Sequence, residues 1–186
     1  MMSAPVEREI KLRFDTVEQA RTAVADLGGT LRNARRLQSD MLLDTMDGTL
    51  RTARSALRVR LEPTHAYLTF KGAPLVSTMK VREEIETGVT DGVALLELLS
   101  RLGYHVAFVY EKYREEWNLP DALVTIDETP VGVFVEIEGS EASITATAAR
   151  LGRGPADYIV DSYRSLYVLA CQARGTLPGD RMVFSR

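Results

Sequence analysis

The chain has 186 residues, 45% of them hydrophobic and 26% charged, with a net charge of −3. That size and balance predict one globular domain spanning residues 1–186. They predict no membrane partner, because no apolar run is long enough to span a bilayer, and no general nucleic-acid binding, which draws on a basic surplus.

The first run, Val6 to Phe14, alternates with period two. Glu7, Glu9, Lys11 and Arg13 share one face of a predicted strand, and Ile10, Leu12 and Phe14 share the other. Nothing in MMSAPVEREIKLRF resembles a basic region followed by an apolar leader. Together with a single cysteine, which excludes an internal disulfide, this sets the expected location as a reducing cytoplasm. Asp15 opens an amphipathic helix from Thr16 to Leu27, stopped by Gly28 and Gly29. Arg35, Arg36, Arg51 and Arg54 read as a solvated rim, with a secondary role in steering anions.

Leu57 to Glu62 then sets Arg58, Arg60 and Glu62 against Leu57, Val59 and Leu61. After a turn at Pro63, Tyr67, Thr69 and Lys71 oppose Leu68 and Phe70. In the next run Arg82, Glu84 and Glu86 oppose Val81 and Ile85. A second helix runs from Gly92 to Leu102, between Asp91 and Gly103. Lys112, Arg114 and Glu116 then oppose Tyr113 and Trp117, although Glu111 and Glu115 interrupt the apolar side. Asp127 follows Val124 and Ile126, and Glu136 and Glu138 oppose Val133, Val135 and Ile137. Helices over Ala142–Leu151 and Ser162–Arg174 complete the pattern, with Cys171 as a buried structural thiol and an irregular tail from Thr176. His65 and His105 lack a second ligand at metal spacing and read as structural.

The polar faces of at least six of these strands are almost purely Glu, Lys and Arg, where a solvated face would mix in Ser, Thr, Asn and Gln. If the sheet closes on itself with this face inward, the terminal strands offer carboxylates to a cation and the middle strands offer bases to an anion. Such an interior is costly unless compensated. A polyphosphate with a divalent metal would compensate it, since Arg and Lys grip phosphate oxygens and hard cations take carboxylates. Alternate Glu residues on one strand lie roughly 7 Å apart, a spacing suited to neighbouring metal ligands.

At Glu7-Arg8-Glu9-Ile10-Lys11 the sequence resembles the ExExK signature of the CYTH superfamily, the triphosphate tunnel metalloenzymes. LRVR at Leu57, TFKG at Thr69, VREEIE at Val81, EKYR at Glu111 and TIDETPVGVFVEIEG at Thr125 follow in the family's order. LGYHVAFVYEKYR and DSYRSLY are similar to the class IV adenylate cyclase branch. The resemblance implies an α+β fold: a closed antiparallel eight-stranded β-barrel, the triphosphate tunnel, with a charged interior and flanking helices.

It also implies Mg²⁺ or Mn²⁺ held by Glu7, Glu9, Asp127, Glu136 and Glu138. The triphosphate would be gripped by Lys11, Arg58, Arg60, Lys71, Arg82, Lys112 and Arg114, with Tyr163 of the Ser162-Tyr163 pair beside it. The catalytic set would be Glu7, Glu9, Lys11, Lys71 and Glu84, the last orienting bases. The implied partners are small triphosphates (ATP, inorganic triphosphate or thiamine triphosphate), and a homodimer is compatible with the resemblance. The implied reaction is conversion of ATP to cyclic AMP and pyrophosphate; the alternatives are release of orthophosphate by a triphosphatase and non-catalytic binding of polyphosphate or nucleotide.

Overall fold

The computed structural model describes residues 6–185. Along the chain run β1 (Val6–Phe14), α1 (Val17–Asp26), β2 (Thr30–Thr45), the single turn α2 (Thr49–Thr52), β3 (Ala56–Leu61), β4 (Ala66–Lys71) and β5 (Lys80–Val89). Then come α3 (Gly92–Arg101), β6 (Tyr104–Asn118), β7 (Ala122–Thr129), β8 (Gly132–Gly139), α4 (Glu141–Arg150), α5 (Tyr163–Ala173) and the short β9 (Arg181–Met182). The strands are hydrogen-bonded in the order β2-β3-β4-β5-β1-β8-β7-β6, and β6 pairs in turn with β2. Eight antiparallel strands therefore form a ring-like sheet, to which β9 adds in parallel beside β6.

Burial follows the alternation read from the sequence. Ile10, Leu12, Val124, Ile126, Val135 and Ile137 leave the outer face of the ring and pack with Ala20 and Val24 of α1 and Ile144 and Ala148 of α4. Leu43, Val59 and Leu99 join β2 and β3 to α3. Tyr163 and Leu166 of α5 pack on Phe108, Tyr110 and Phe134. Each long helix starts at a polar cap: Thr16 for α1, Asp91 for α3, Ser140 for α4 and Ser162 for α5 accept from backbone N–H groups two or three residues on. The cap of α1 is thus Thr16 rather than the expected Asp15. Cys171 is buried, and among the described residues no helix is long and apolar enough to cross a membrane.

The largest element missing from the sequence reading is β2, which spans 16 residues. Its pairing with β6 shifts register between Leu31 and Asn33, between Asn33 and Arg36, and between Leu42 and Leu43. The irregularities confine the period-two pattern to the stretch from Arg36 to Leu42, so it does not run the length of the strand.

Gly92, the first residue of α3, seats that helix on the ring. A Cβ there would lie 2.4 Å from Leu61 Cδ2 and 2.7 Å from Ala66 Cβ. Gly92→Ala is therefore expected to destabilise the fold by about 1–3 kcal/mol through overpacking, a loss that denaturant titration would register; an unchanged midpoint would mean that α3 can shift freely on β3 and β4.

Candidate active site

The ring surrounds a cavity of about 1020 Å³. Among the described residues its lining includes thirteen Lys and Arg side chains against ten Asp and Glu, a local basic excess in a chain of net charge −3. The strand register sets acid against base from one strand to the next. Lys71 lies opposite Glu84, with Nζ 2.6 Å from it and 2.8 Å from Glu7. Arg82 lies opposite Glu7, Lys11 opposite Glu136, Arg60 opposite Asp40 and Arg114 opposite Asp127. Opposite charges facing each other across a ladder stabilise the sheet, and like charges do the reverse.

Two positions break the alternation. Arg36 faces Arg114 across β2 and β6, where the pair is moderated by Glu116, which bonds to Arg36, and Glu62, 3.0 Å from Arg36 Nε. Glu9 faces Glu138 across β1 and β8, with Glu7 one step further along the same face of β1. Burial, a hydrogen bond with Glu84 and the charge of Glu9 push the Glu7 carboxyl up to about 7. Burial and the charges of Glu7 and Glu9 push Glu138 up to about 7 as well. Glu9 behaves oppositely: burial would raise it, but Lys11 and Lys80 hold it well below the usual carboxylate range. Their Nζ atoms lie 3.1 and 2.6 Å from its Oε1.

Deeper in, Asp127 is fully buried. It accepts from Lys112 Nζ at 2.9 Å, Arg114 Nε at 2.6 Å and the Tyr163 hydroxyl at 2.6 Å. Burial opposes its ionisation, but Arg114 and Lys112 hold its pKa below the ordinary value. Burial and neighbouring Arg114 pull Lys112 down to about 8; burial and Lys11 do the same to Lys80. The Tyr163 ring, at the start of α5, lies 5.3 Å from Lys11 Nζ and 5.1 Å from Lys112 Nζ. Asp40 plays the acid's part on the opposite wall, with Oδ1 2.8 Å from Arg60 Nε and 3.5 Å from Arg58 Nε. Among the described residues Arg58 Nε, Arg82 Nε and Arg36 Nη1 are buried without a hydrogen-bond acceptor.

This arrangement of strands and charges has a family. Residues 6–163 match the family model of the CYTH domain. The chain belongs to the CYTH family. A Methanocaldococcus jannaschii protein named a "putative adenylate cyclase" is 29% identical to this CYTH domain over 140 residues, 75% of this chain and 79% of that protein. An X-ray structure from Vibrio parahaemolyticus with the same name superposes with a TM-score of 0.76 at 20% identity, covering 88% of this chain and 98% of that one. A Hippeastrum "putative adenylyl cyclase", described as having a dominant triphosphatase activity, superposes with a TM-score of 0.62 at 19% identity, covering 92% and 97%. At these identities the superpositions show a shared fold.

The CYTH ring gathers Glu7, Glu9, Lys11, Arg58, Arg60, Lys71, Arg82, Glu84, Lys112, Arg114, Glu136, Glu138 and Tyr163 around one cavity, with Asp127 buried behind its lining. It does not bring the five expected metal ligands together: among the described residues no three His, Cys, Asp or Glu side chains form a ligand group. The reason is pairing. Asp127 is taken up by Lys112, Arg114 and Tyr163, Glu136 by Lys11 and Arg114, Glu9 by Lys11 and Lys80, and Glu7 by Lys71. Arg13, placed on the charged face by parity, is exposed at the end of β1, its Nη1 3.5 Å from the Val131 carbonyl. Arg36, expected on a solvated rim, is an inward-facing member of the lining. Asp40, Gln38 and Lys80 were missed. The first two lie on the irregular β2, and Lys80 has the parity of Arg82 and Glu84 but precedes the run from which that strand was recognised.

Proposed function

We propose that this CYTH domain is a metal-dependent enzyme that holds a triphosphate in a closed, charge-lined tunnel and converts ATP to cyclic AMP and pyrophosphate. The observation that carries the reading is the opposed pair Glu9 and Glu138, with Glu7 beside it, on one side of a cavity whose lining as a whole has more Lys and Arg than Asp and Glu. Burial, with neighbouring carboxylates, raises Glu7 and Glu138 to about 7; this favours a hard divalent cation, Mg²⁺ or Mn²⁺, at Glu7, Glu9 and Glu138, although among the described residues these side chains are not grouped as a ligand set. Buried guanidinium donors that lack an acceptor, at Arg58, Arg82 and Arg36, suit phosphate oxygens.

In this reading Glu7, Glu9 and Glu138 would hold the cation, which would supply Lewis-acid polarisation of the phosphate. Lys11, Arg58, Arg60, Lys71, Arg82, Lys112 and Arg114 neutralise the charge that develops on the phosphoryl oxygens, and Lys80 joins them. Glu84 orients Lys71. Asp127 and Glu136, first expected among the metal ligands, orient Lys112, Arg114 and Lys11, and Tyr163 fixes Asp127. Lys112 and Lys80, drawn down to about 8, can exchange a proton near neutral pH with an attacking hydroxyl or a leaving phosphate oxygen.

A second reading, hydrolysis of a triphosphate to orthophosphate, is favoured by the activity described for the Hippeastrum relative. Product analysis with Mg²⁺ or Mn²⁺ and, separately, ATP, inorganic triphosphate and thiamine triphosphate separates the two. Cyclic AMP with pyrophosphate supports the cyclase, and orthophosphate without cyclic AMP the triphosphatase. Absence of turnover from all three would leave a binding module.

The raised carboxyls supply a further expectation. Glu7 and Glu138 must each lose a proton to coordinate a cation, so Mn²⁺ affinity should rise by about tenfold or more between pH 6 and pH 8. Calorimetric titration at both values checks this, and a flat profile would remove these two residues from the ligand set.

A further inference from the structure

The two mouths of the cavity carry different charge. Neighbouring strands of the ring run antiparallel, so the C-terminal ends of β3, β5 and β6 lie together at one mouth with the N-terminal part of β2. The acids that line the cavity there are Glu62, Glu86 and Glu116, one from the end of each of those three strands. At the other mouth stand Arg51 and Arg54, from the connection between β2 and β3, and Arg164 at the start of α5. The acids lining that mouth are Asp161 and Asp44, and Asp44 is consumed by the backbone N–H groups of Thr45, Leu50 and Arg51.

At the acidic mouth Arg36 is nearly used up. Its Nε lies 3.0 Å from Glu62, its Nη2 donates to Glu116, and its Nη1 is buried with no acceptor among the described residues. Asn33 Nδ2 and Gln38 Nε2 complete the network, each donating at 2.6 Å, to Glu116 and Glu62 respectively. The Glu62 and Glu116 side chains are 8% and 15% exposed, so solvent ions screen them little. Burial would raise the Glu116 carboxyl, but the hydrogen bonds from Arg36 and Asn33 hold it below its ordinary value. The network stands where the buried bases give out. Beyond Arg36 and Arg114, which face each other, β2 and β6 present Asn33 and Glu116 to the cavity, and the one further base in the lining of β2 is the exposed Arg32.

We infer that Glu62 and Glu116 limit the length of the phosphate chain that the cavity accepts. The inference rests on the proposed triphosphate chemistry and adds to it a discrimination against longer chains. A chain drawn in at the basic mouth passes the lysines and arginines of the middle strands, and Arg36 Nη1 is the last buried donor on its path. A further phosphoryl group would lie against two carboxylates whose hydrogen bonds are already made. Like charges in such a confined, weakly screened place repel strongly, and that repulsion selects against the longer ligand. Glu62 and Glu116 thus act as a stop at one mouth, apart from the residues that would hold the cation and the reacting phosphates.

The test is calorimetric binding of linear tripolyphosphate and linear tetrapolyphosphate, with Mg²⁺, to the unmodified chain, Glu62→Gln, Glu116→Gln and the double variant. Glutamine keeps a carbonyl oxygen for Arg36 and removes the charge. The unmodified chain is expected to bind tetrapolyphosphate about tenfold more weakly than tripolyphosphate, and the double variant only about twofold more weakly, with each single substitution giving part of the change. Both ligands are measured on the same preparation, so any misfolded fraction drops out of the ratio. Equal binding of the two ligands by the unmodified chain would overturn the length limit and leave the triphosphate reading standing. A double variant in which both ligands gain alike would also overturn it, because the gain would then be a general effect of charge. If the unmodified chain bound neither ligand, the triphosphate reading would fall as well.

Discussion

Glu138→Gln is expected to abolish metal-dependent turnover while making the metal-free protein more stable at pH 8. Glu138 faces Glu9 directly across the ladder, and burial together with Glu7 and Glu9 raises its carboxyl from 4.5 to about 7. The sign follows from the proton inventory. Below about 4.5 the group is protonated whether the chain is folded or not; between there and 7 the unfolded chain loses the proton while the folded chain keeps it. Stability associated with Glu138 is thus fully present in acid and lost as pH rises through 7. Glutamine cannot ionise, so the variant escapes that loss. Activity moves the other way: losing a carboxylate ligand should reduce turnover by about 100-fold or more, since even groups that only support a ligand are worth 10–100-fold. Thermal melts with chelator at pH 5 and pH 8, run beside turnover assays with Mg²⁺ and with Mn²⁺, read both effects. Retained turnover would remove Glu138 from the metal site, and lower stability at pH 8 would contradict the repulsion across β1 and β8.

Asp127→Ala should produce the largest loss of stability of any change in the cavity. The carboxylate is fully buried and receives Lys112, Arg114 and Tyr163. Removing it leaves two buried cations facing each other, and breaking such a cluster costs about 3–5 kcal/mol. For a domain of this size that lowers the melting temperature by on the order of 10 °C. The same bases would then be short of an anion, so added tripolyphosphate should recover more stability in the variant than in the unmodified protein. Melting curves with and without tripolyphosphate measure both quantities. Equal recovery in the two proteins would mean that Lys112 and Arg114 do not face the ligand.

How much of this was legible depends on regularity. In β1, β3, β4, β5 and β8, alternation interrupted by charge on the apolar side only at Arg8 and Glu83 separated Glu, Lys and Arg from Val, Ile and Leu, and the face assignments of Glu9, Lys11, Arg58, Lys71 and Glu136 follow from parity. In β2 the ladder is irregular on both sides of residues 36–42, and the regular stretch that carries Arg36, Gln38 and Asp40 is short and bounded by polar or mixed residues, so it did not stand out as a strand. Parity also says nothing about distance along a face. It grouped Asp127 and Glu136 with Glu9 and Glu138 as acids, whereas the register gives Asp127, Glu136 and Glu9 basic partners and sets Glu138 opposite Glu9. The helices were clear because their polar caps and terminal glycines are local signals, independent of register.

The ring order also dictates when the molecule can become itself. The first strand of the chain, β1, is inserted between β5 and β8, so Glu9 meets its partner Glu138 only after nearly all of the ring has been synthesised. Contacts this distant in sequence slow folding. During synthesis the charged strand stays in water, where its carboxylates are well solvated and offer little for misassociation. The burial and the meeting with Glu7 and Glu9 that raise the Glu138 pKa are postponed to the joining of β1 and β8, so the candidate cation site forms late on the folding path, and divalent metal should act on the final closure and not on collapse.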